Sequence, residues 1–221
     1  MNDKTTTHDA LAARQYCIAF LVLAAPSFLN DLAYIATNGT YGVYLVDYGS
    51  RFLVLGLCFL WPVSRAIAME RLEPGLGTEL ALLCAAAIPV LGRLSHYLLE
   101  RPFVELTGFG GLFSFPAIGD PALYWLDLSV GLFAVALSEE LIFRKFALRW
   151  LEAAGRTPLQ IIVISAVVFA LIHWGSGPGR LLYAFVAGIF YMTAYYHLRR
   201  LWPTVLAHWI ENFLSFGPLN L

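Results

Sequence analysis

The sequence predicts an all-α, polytopic transmembrane helical bundle of about seven helices. Three observations carry this. Of the 221 residues, 59% are hydrophobic and only 13% are charged, where a soluble domain carries roughly a quarter charged residues. The apolar runs approach or exceed the about twenty residues a helix needs to cross a bilayer core. They also lack the strict polar–apolar alternation of an outer-membrane barrel, and in lipid a helix satisfies its own backbone groups.

Residues 1–13 read as a polar N-terminal tail. The first apolar run, Tyr16 to Leu29, has signal-peptide length but no convincing small-residue cleavage site, and it reads as a retained helix over 14–30. Asn38-Gly39 then turns the chain into a second helix at 41–63, and Glu73-Pro74-Gly75 into a third at 76–99. Residues 101–121 intersperse Phe103, Phe109, Phe113 and Phe115 with Gly and Pro, which predicts an aromatic-rich loop at headgroup depth. Four further helices follow at 122–151, 158–174, 180–199 and 202–217. Gly155-Arg156-Thr157-Pro158 supplies a C-cap glycine followed by a helix-opening proline. The glycine-rich stretch 175–179 and Trp202-Pro203 mark the remaining turns.

Basic residues alternate with these spans. Lys4, Arg14, Arg65, Arg71, Arg144, Lys145, Arg149, Arg156, Arg199 and Arg200 fall on one side. Arg101 and Arg180 fall on the other, with Arg51 and Arg93 inside spans. The positive-inside rule then puts the N-terminus in the cytoplasm and the C-terminus outside. The near-zero net charge gives no sign of a nucleic-acid partner. Cys17, Cys58 and Cys84 lie in apolar runs and form neither a disulfide framework nor a metal pattern.

Ionisable residues inside spans are costly, which makes each a functional candidate. Glu140 and Arg144 stand at i,i+4 with the acid N-terminal to the base, the favourable order for an ion pair on one helix face. Glu139 is rotated by about 100° from Glu140 and is left without that partner. One carboxylate therefore reads as structural and the other as free for chemistry. The bland alternative is a helix end entering the cytoplasm with solvated charges. Folding a hairpin about position 156 brings His173 level with Glu139, and Phe169, one turn before His173, can pack beside its imidazole. On the last helix His208 and Asn212 share a face, and both can donate hydrogen bonds. The bland alternative there is a polar stripe gluing helices together. Glu211 has no evident role beyond partnering a basic residue or His208. Ser138 is not in a nucleophile elbow. Together these groups supply what amide hydrolysis needs: a carboxylate with an imidazole to take a proton from water, and fixed donors for the oxyanion.

Glu139-Glu140-x-x-x-Arg144, Phe169-x-x-x-His173 and His208-x-x-x-Asn212 resemble the three motifs of the CPBP or Abi family, the type II CAAX prenyl proteases and bacteriocin-processing peptidases. Each motif alone is weak; all three in order on membrane helices are specific. The resemblance covers roughly 122–217. It divides the chain into the tail, a segment 14–121 of three variable transmembrane helices with the aromatic-rich loop, and a catalytic core at 122–221. It implies a glutamic-type intramembrane endopeptidase without a cofactor. Glu139 and His173 would activate water, His208 and Asn212 would form the oxyanion hole, and Glu140 with Arg144 would be a supporting ion pair. The chain ends soon after the third motif, where members acting on prenylated eukaryotic proteins often carry a further helix. Bacterial C-terminal sorting-signal or bacteriocin-type processing in an inner (cell) membrane is therefore expected ahead of eukaryotic CAAX processing. The expected partners are the lipid bilayer and a membrane-associated protein or peptide.

Three rival readings stand beside this one. Glu139, His173 and His208 could instead bind zinc, since two histidines and a glutamate form a catalytic zinc set, although no HExxH occurs. Buried Glu, Arg and His also suit a small transporter, channel or scaffold. A catalytically idle relative that binds a partner helix is the third.

Overall fold

The protein is represented by a computed structural model that describes residues 3–73 and 75–218, with side chains described from residue 11 onward. Within those residues there are no strands. Eight helices account for most of the chain: α1 (Asp3–Ala36), α2 (Gly42–Leu60), α3 (Pro62–Met69), α4 (Thr78–Thr107), α5 (121–153), α6 (Pro158–Leu171), α7 (Pro178–Leu198) and α8 (Trp202–Phe216).

Several boundaries differ from the sequence reading. The stretch read as a polar tail is helical from Asp3 onward; Met1 and Asn2 lie outside the described residues, as does Pro74 of the second turn. The helix expected over 41–63 breaks at Trp61, whose extended backbone (φ −88°, ψ 119°) separates α2 from α3. The cause is Pro62: the residue before a proline is pushed out of the α region. The loop expected over 101–121 is shorter, because α4 continues through a wide turn at His96–Glu100 to Thr107. It stops at Gly108, whose left-handed φ of 68° suits a glycine C-cap. α6 opens on a capping box in which Thr157 and Gln160 satisfy each other's backbone N–H groups.

Hydrogen bonds between loops define the two ends of the bundle. At one end, which we call the basic end, Gly75 and Leu76 donate to the Leu198 and His197 carbonyls. Arg199 bonds Glu152 at 2.7 Å, Arg149 pairs with Glu70 at 2.8 Å, and Lys145 caps the Ala68 and Glu70 carbonyls. At the opposite, aromatic end, Leu112 donates to the Gly175 carbonyl, Ser114 to Asn38, Tyr44 to the Pro116 carbonyl and Tyr124 to the Phe216 carbonyl. The chain passes between the ends seven times, with α2 and α3 sharing one passage. Two of the basic residues counted as loop charges, Arg144 and Lys145, are instead buried inside α5.

The outward faces are apolar. Leu45, Leu60, Leu83 and Val90 are all more than half exposed, a surface that needs lipid rather than water around it. Four helices, over Leu11–Ala36, Gly42–Leu60, Thr78–Thr107 and Pro178–Leu198, are long and apolar enough to cross a bilayer. The chain is a polytopic helical membrane protein.

Helices α6 and α7 approach most closely at Gly188, where an added Cβ would lie 2.9 Å from the Ala166 Cα. Small residues that let backbones meet are how membrane helices associate. Gly188→Val should destabilise the detergent-solubilised protein by about 1–3 kcal/mol through overpacking, read as a lower unfolding midpoint. Gly56→Val, where a Cβ meets nothing within 4 Å, should leave the midpoint unchanged.

Candidate active site

The middle of α5 carries the adjacent carboxylates. The helix is not regular there: wide turns at Asp127–Gly131 and Leu141–Phe146 flank the segment that ends in Glu139-Glu140. Such single wide turns inside α-helices often occur at functional sites, because they re-aim side chains without ending the helix. The first leaves the Leu128 carbonyl accepting from the Trp209 indole at 3.0 Å, which ties α5 to the His208 turn of α8.

Glu140 and Arg144 form a two-point pair. Nε donates to Oε2 at 3.0 Å and Nη2 to Oε1 at 3.2 Å, and neither residue has any exposed surface. The guanidinium lies over the Phe169 ring at 4.5 Å and near the Tyr191 ring at 5.3 Å, so its faces meet π-systems while its edge meets the acid. These are not the solvated charges of a helix end.

Glu139 is not left unpaired, as the helical geometry of α5 alone suggests. Arg51, midway along α2, places Nη2 2.8 Å from Glu139 Oε1. Arg51 also bonds Asp47 Oδ1 through Nε at 3.1 Å and Ser27 through Nη1 at 3.3 Å, and Tyr34 donates to the same Asp47 oxygen at 2.7 Å. A relay from α1 and α2 thus reaches the carboxylate on α5. The signal was present in the sequence: Asp47 and Arg51 have the same acid-then-base i,i+4 spacing as Glu140 and Arg144. What spacing within one helix could not show is that the arginine has a second acid on another helix.

His208 bridges the two carboxylates. Nδ1 is 3.1 Å from Glu140 Oε1, and Nε2 is 3.8 Å from Glu139 Oε2, beyond direct hydrogen bonding. His173 follows the end of α6. Its Nδ1 is 3.1 Å from the Phe169 carbonyl. A carbonyl only accepts, so Nδ1 carries the proton and Nε2 of the neutral ring is an acceptor. Phe169 packs edge-on against both imidazoles, with centroids 5.2 Å from His173 and 6.2 Å from His208. The turn that carries His173 is anchored by α1: Asp31 accepts from the Gly175 N–H at 2.6 Å, and Trp174 donates to the Phe28 carbonyl.

Glu139, His173, His208 and Asn212 all line one cavity of about 170 Å³. Its walls mix polar, aromatic and aliphatic side chains, among them Asp31, Asp127, Tyr34, Tyr48, Phe113 and Leu132. His173 lies just past the end of α6 and His208 in the middle of α8, and both reach the same cavity. Among the described residues no three His, Cys, Asp or Glu side chains are arranged to hold a metal ion. Ser138 bonds the Val135 carbonyl of its own helix. Among the described residues Glu211 pairs with no basic residue and does not bond His208. It accepts from the Tyr183 and Tyr191 hydroxyls, and its carboxylate packs where Gly92 of α4 has no side chain.

The motif helices α5 to α8 thus hold all four lining candidates. Residues 121–214 are similar to an Rce1-like family. They match the model of the family described as Type II CAAX prenyl endopeptidase Rce1-like, which is the CPBP family that the three motifs resemble. The match runs from the first residue of α5 into the last turn of α8, and leaves α1–α4 outside it. No curated protein and no solved structure matches the chain. The match supports a CAAX-protease-type intramembrane hydrolase acting on membrane-associated substrates.

Removing one partner of a buried ion pair costs about 3–5 kcal/mol, because the remaining charge is uncompensated. Arg51→Met should therefore lower the unfolding midpoint of the purified protein strongly. Arg51→Met combined with Glu139→Gln should recover part of that loss, the remainder reflecting Asp47, which also loses its partner. Equal destabilisation in the single and double variants would show that Arg51 supports the fold by some other contact.

Proposed function

We propose that this chain is a glutamic-type intramembrane endopeptidase that hydrolyses a peptide bond of a membrane-associated protein or peptide, using water activated by Glu139 and His173. The observation that carries this reading is the meeting of a carboxylate, an imidazole acceptor and two further donors in one cavity on the Rce1-like helices.

Arg51 engages Glu139 Oε1, so Oε2 is the oxygen that takes the water's proton, with His173 Nε2 as the second acceptor. The water oxygen bonds to the peptide carbonyl carbon and the carbonyl π pair moves onto oxygen. Asn212 and His208 hold that oxyanion. Collapse of the intermediate breaks the carbon–nitrogen bond, and the departing amine takes the proton from Glu139. His208 Nδ1 lies on Glu140, so Nε2 donates to the oxyanion with the ring as imidazolium. The same contact favours one alternative within the reaction: His208, held by Glu140, accepts the water's proton at Nε2.

The polar groups of the walls support a peptide substrate. Carboxylates, tyrosines and amides offer hydrogen bonds to a peptide, where an isoprenoid chain needs a long apolar channel. We therefore favour bacterial C-terminal sorting-signal or bacteriocin-type processing over prenylated eukaryotic substrates. The distribution of Lys and Arg supports an N-terminus in the cytoplasm and a C-terminus outside, and the favoured substrate class goes with a bacterial inner membrane.

Membrane proteomes of host cells carrying wild type, Glu139→Gln or Glu139→Ala test the reading. One or a few membrane-anchored proteins should accumulate uncleaved in both variants. No accumulation, with the variants present at normal levels, would turn attention to transport or scaffolding. Once a substrate is known, Asn212→Ala should lower kcat by about 10²–10³, the usual cost of an oxyanion donor. His208→Gln discriminates the two roles of that residue: a donor role leaves measurable turnover, a base role none.

A further inference from the structure

The aromatic end of the bundle and the distribution of charge bear on which side of the membrane the cavity serves. Asp31 and Tyr34 lie in the last two turns of α1, Tyr44, Asp47 and Tyr48 in the first two turns of α2, and Asp127 in the second turn of α5. Ser176 lies in the turn between α6 and α7, and Phe113 and Phe115 in the loop over it. All of these adjoin the aromatic end. No described residue of the loops at the basic end lines the cavity.

Between the catalytic level and the basic end the bundle is filled. Phe20 stacks on Trp150 at 5.0 Å and meets Phe143 edge-on at 6.1 Å. Phe143, Phe146 and Ile142 have no exposed surface. None of these residues lines the cavity, and their packing gives it no opening between α1 and α5 toward that end.

The basic end also carries most of the solvent-facing positive charge. Arg14, Arg65, Arg71, Arg149, Arg156, Arg199 and Arg200 lie there, and Arg51, Arg93, Arg144 and Lys145 lie within the bundle. Arg101 and Arg180 belong to the aromatic end, and each is tied to a carboxylate, Glu105 and Glu100 respectively. Seven against two marks the basic end as cytoplasmic.

We propose that the cavity is served from the non-cytoplasmic face, so that the bond it presents to Glu139 lies in an exported stretch of a membrane-anchored protein. This rests on reading the cavity as the active site, but its test does not require turnover. Cys17, Cys58 and Cys84 are replaced by Ser, and single cysteines are introduced as Ser176→Cys at the cavity mouth and Arg156→Cys in the exposed turn at the basic end. Right-side-out membrane vesicles are treated with a membrane-impermeant maleimide. Ser176→Cys should be labelled in intact vesicles, and Arg156→Cys only after permeabilisation.

The opposite pattern would overturn the proposal. So would a Ser176→Cys that reacts only after denaturation, because the cavity would then open to neither aqueous side. If a single-cysteine form does not fold, Ala117→Cys in the loop over the cavity replaces Ser176→Cys with the same expected outcome. A failed labelling pattern leaves the peptidase reading intact, and absence of any Glu139-dependent substrate leaves the labelling result intact. A Glu139-dependent cut mapped to a cytoplasmic segment would sink the proposal while upholding the peptidase.

Discussion

The structure depends on compensating charge where water is scarce. Glu139 and Glu140 are neighbours in sequence on a helix inside the membrane, and two bare carboxylates there would not be tolerated. Each has its own arginine. Arg144 comes from the next turn of the same helix, and Arg51 comes from α2. His208 sits between the acids and touches both sides of the arrangement. The two pairs differ in kind. The Glu140–Arg144 pair is closed, because both guanidinium edge positions meet carboxylate oxygens and both faces meet aromatic rings. The Glu139–Arg51 pair is open, because one oxygen of Glu139 faces a cavity. A buried pair is weak evidence of stability in itself, so the open one makes better sense as chemistry than as scaffolding.

The division of labour between the halves of the chain follows. Helices α5 to α8 carry the motif residues, yet they do not complete the site. Arg51 and Asp47 on α2 and Tyr34 on α1 orient Glu139. Asp31 on α1 holds the turn behind His173 through the Gly175 N–H. The stretch 14–121 therefore has two anchors in the cavity, one for each member of the water-activating pair proposed above. Its helices otherwise read as generic spans, which is why α1–α4 can lie outside the family match and still be part of the site.

What was legible in the sequence follows the range of the interaction. Apolar run length gives the spans because crossing a bilayer is a one-dimensional constraint. Helical spacing gives the Glu140–Arg144 and Phe169–His173 neighbours because one turn is a local geometry. The Trp61-Pro62 break was readable in principle from the proline rule, but an unbroken apolar run concealed it. The extension of α4 to Thr107 was not readable, because a wide turn at 96–100 carries the helix through Pro102 and it stops only at the first glycine, Gly108. Arg51 on Glu139 and Asp31 on Gly175 link residues far apart in the chain, and neither helix records its partner. Glu211 was opaque for the same reason: its donors are tyrosines on α7, and the space it fills is a glycine on α4.

The polarity of the cavity carries the reasoning one step beyond the motifs. A hydrolase in lipid has to admit water to a carboxylate without flooding the bundle. Here the two requirements are met at opposite ends. Toward the basic end, Phe20, Phe143, Phe146 and Trp150 seal the core beneath Arg144. Toward the aromatic end, tyrosine hydroxyls and aspartates line a descent from the loop at 108–120 to Glu139. Tyr44 bonds the backbone of that loop, Tyr34 packs on Phe113 at 5.0 Å and on Phe115 at 5.6 Å, and Leu112 bonds the turn that follows His173. The loop is thus joined to α1, to α2 and to the His173 turn, the elements that orient the proposed base and its imidazole. Movement of the loop to admit a peptide would strain contacts on all three, which couples entry of substrate to the geometry of the water-activating groups.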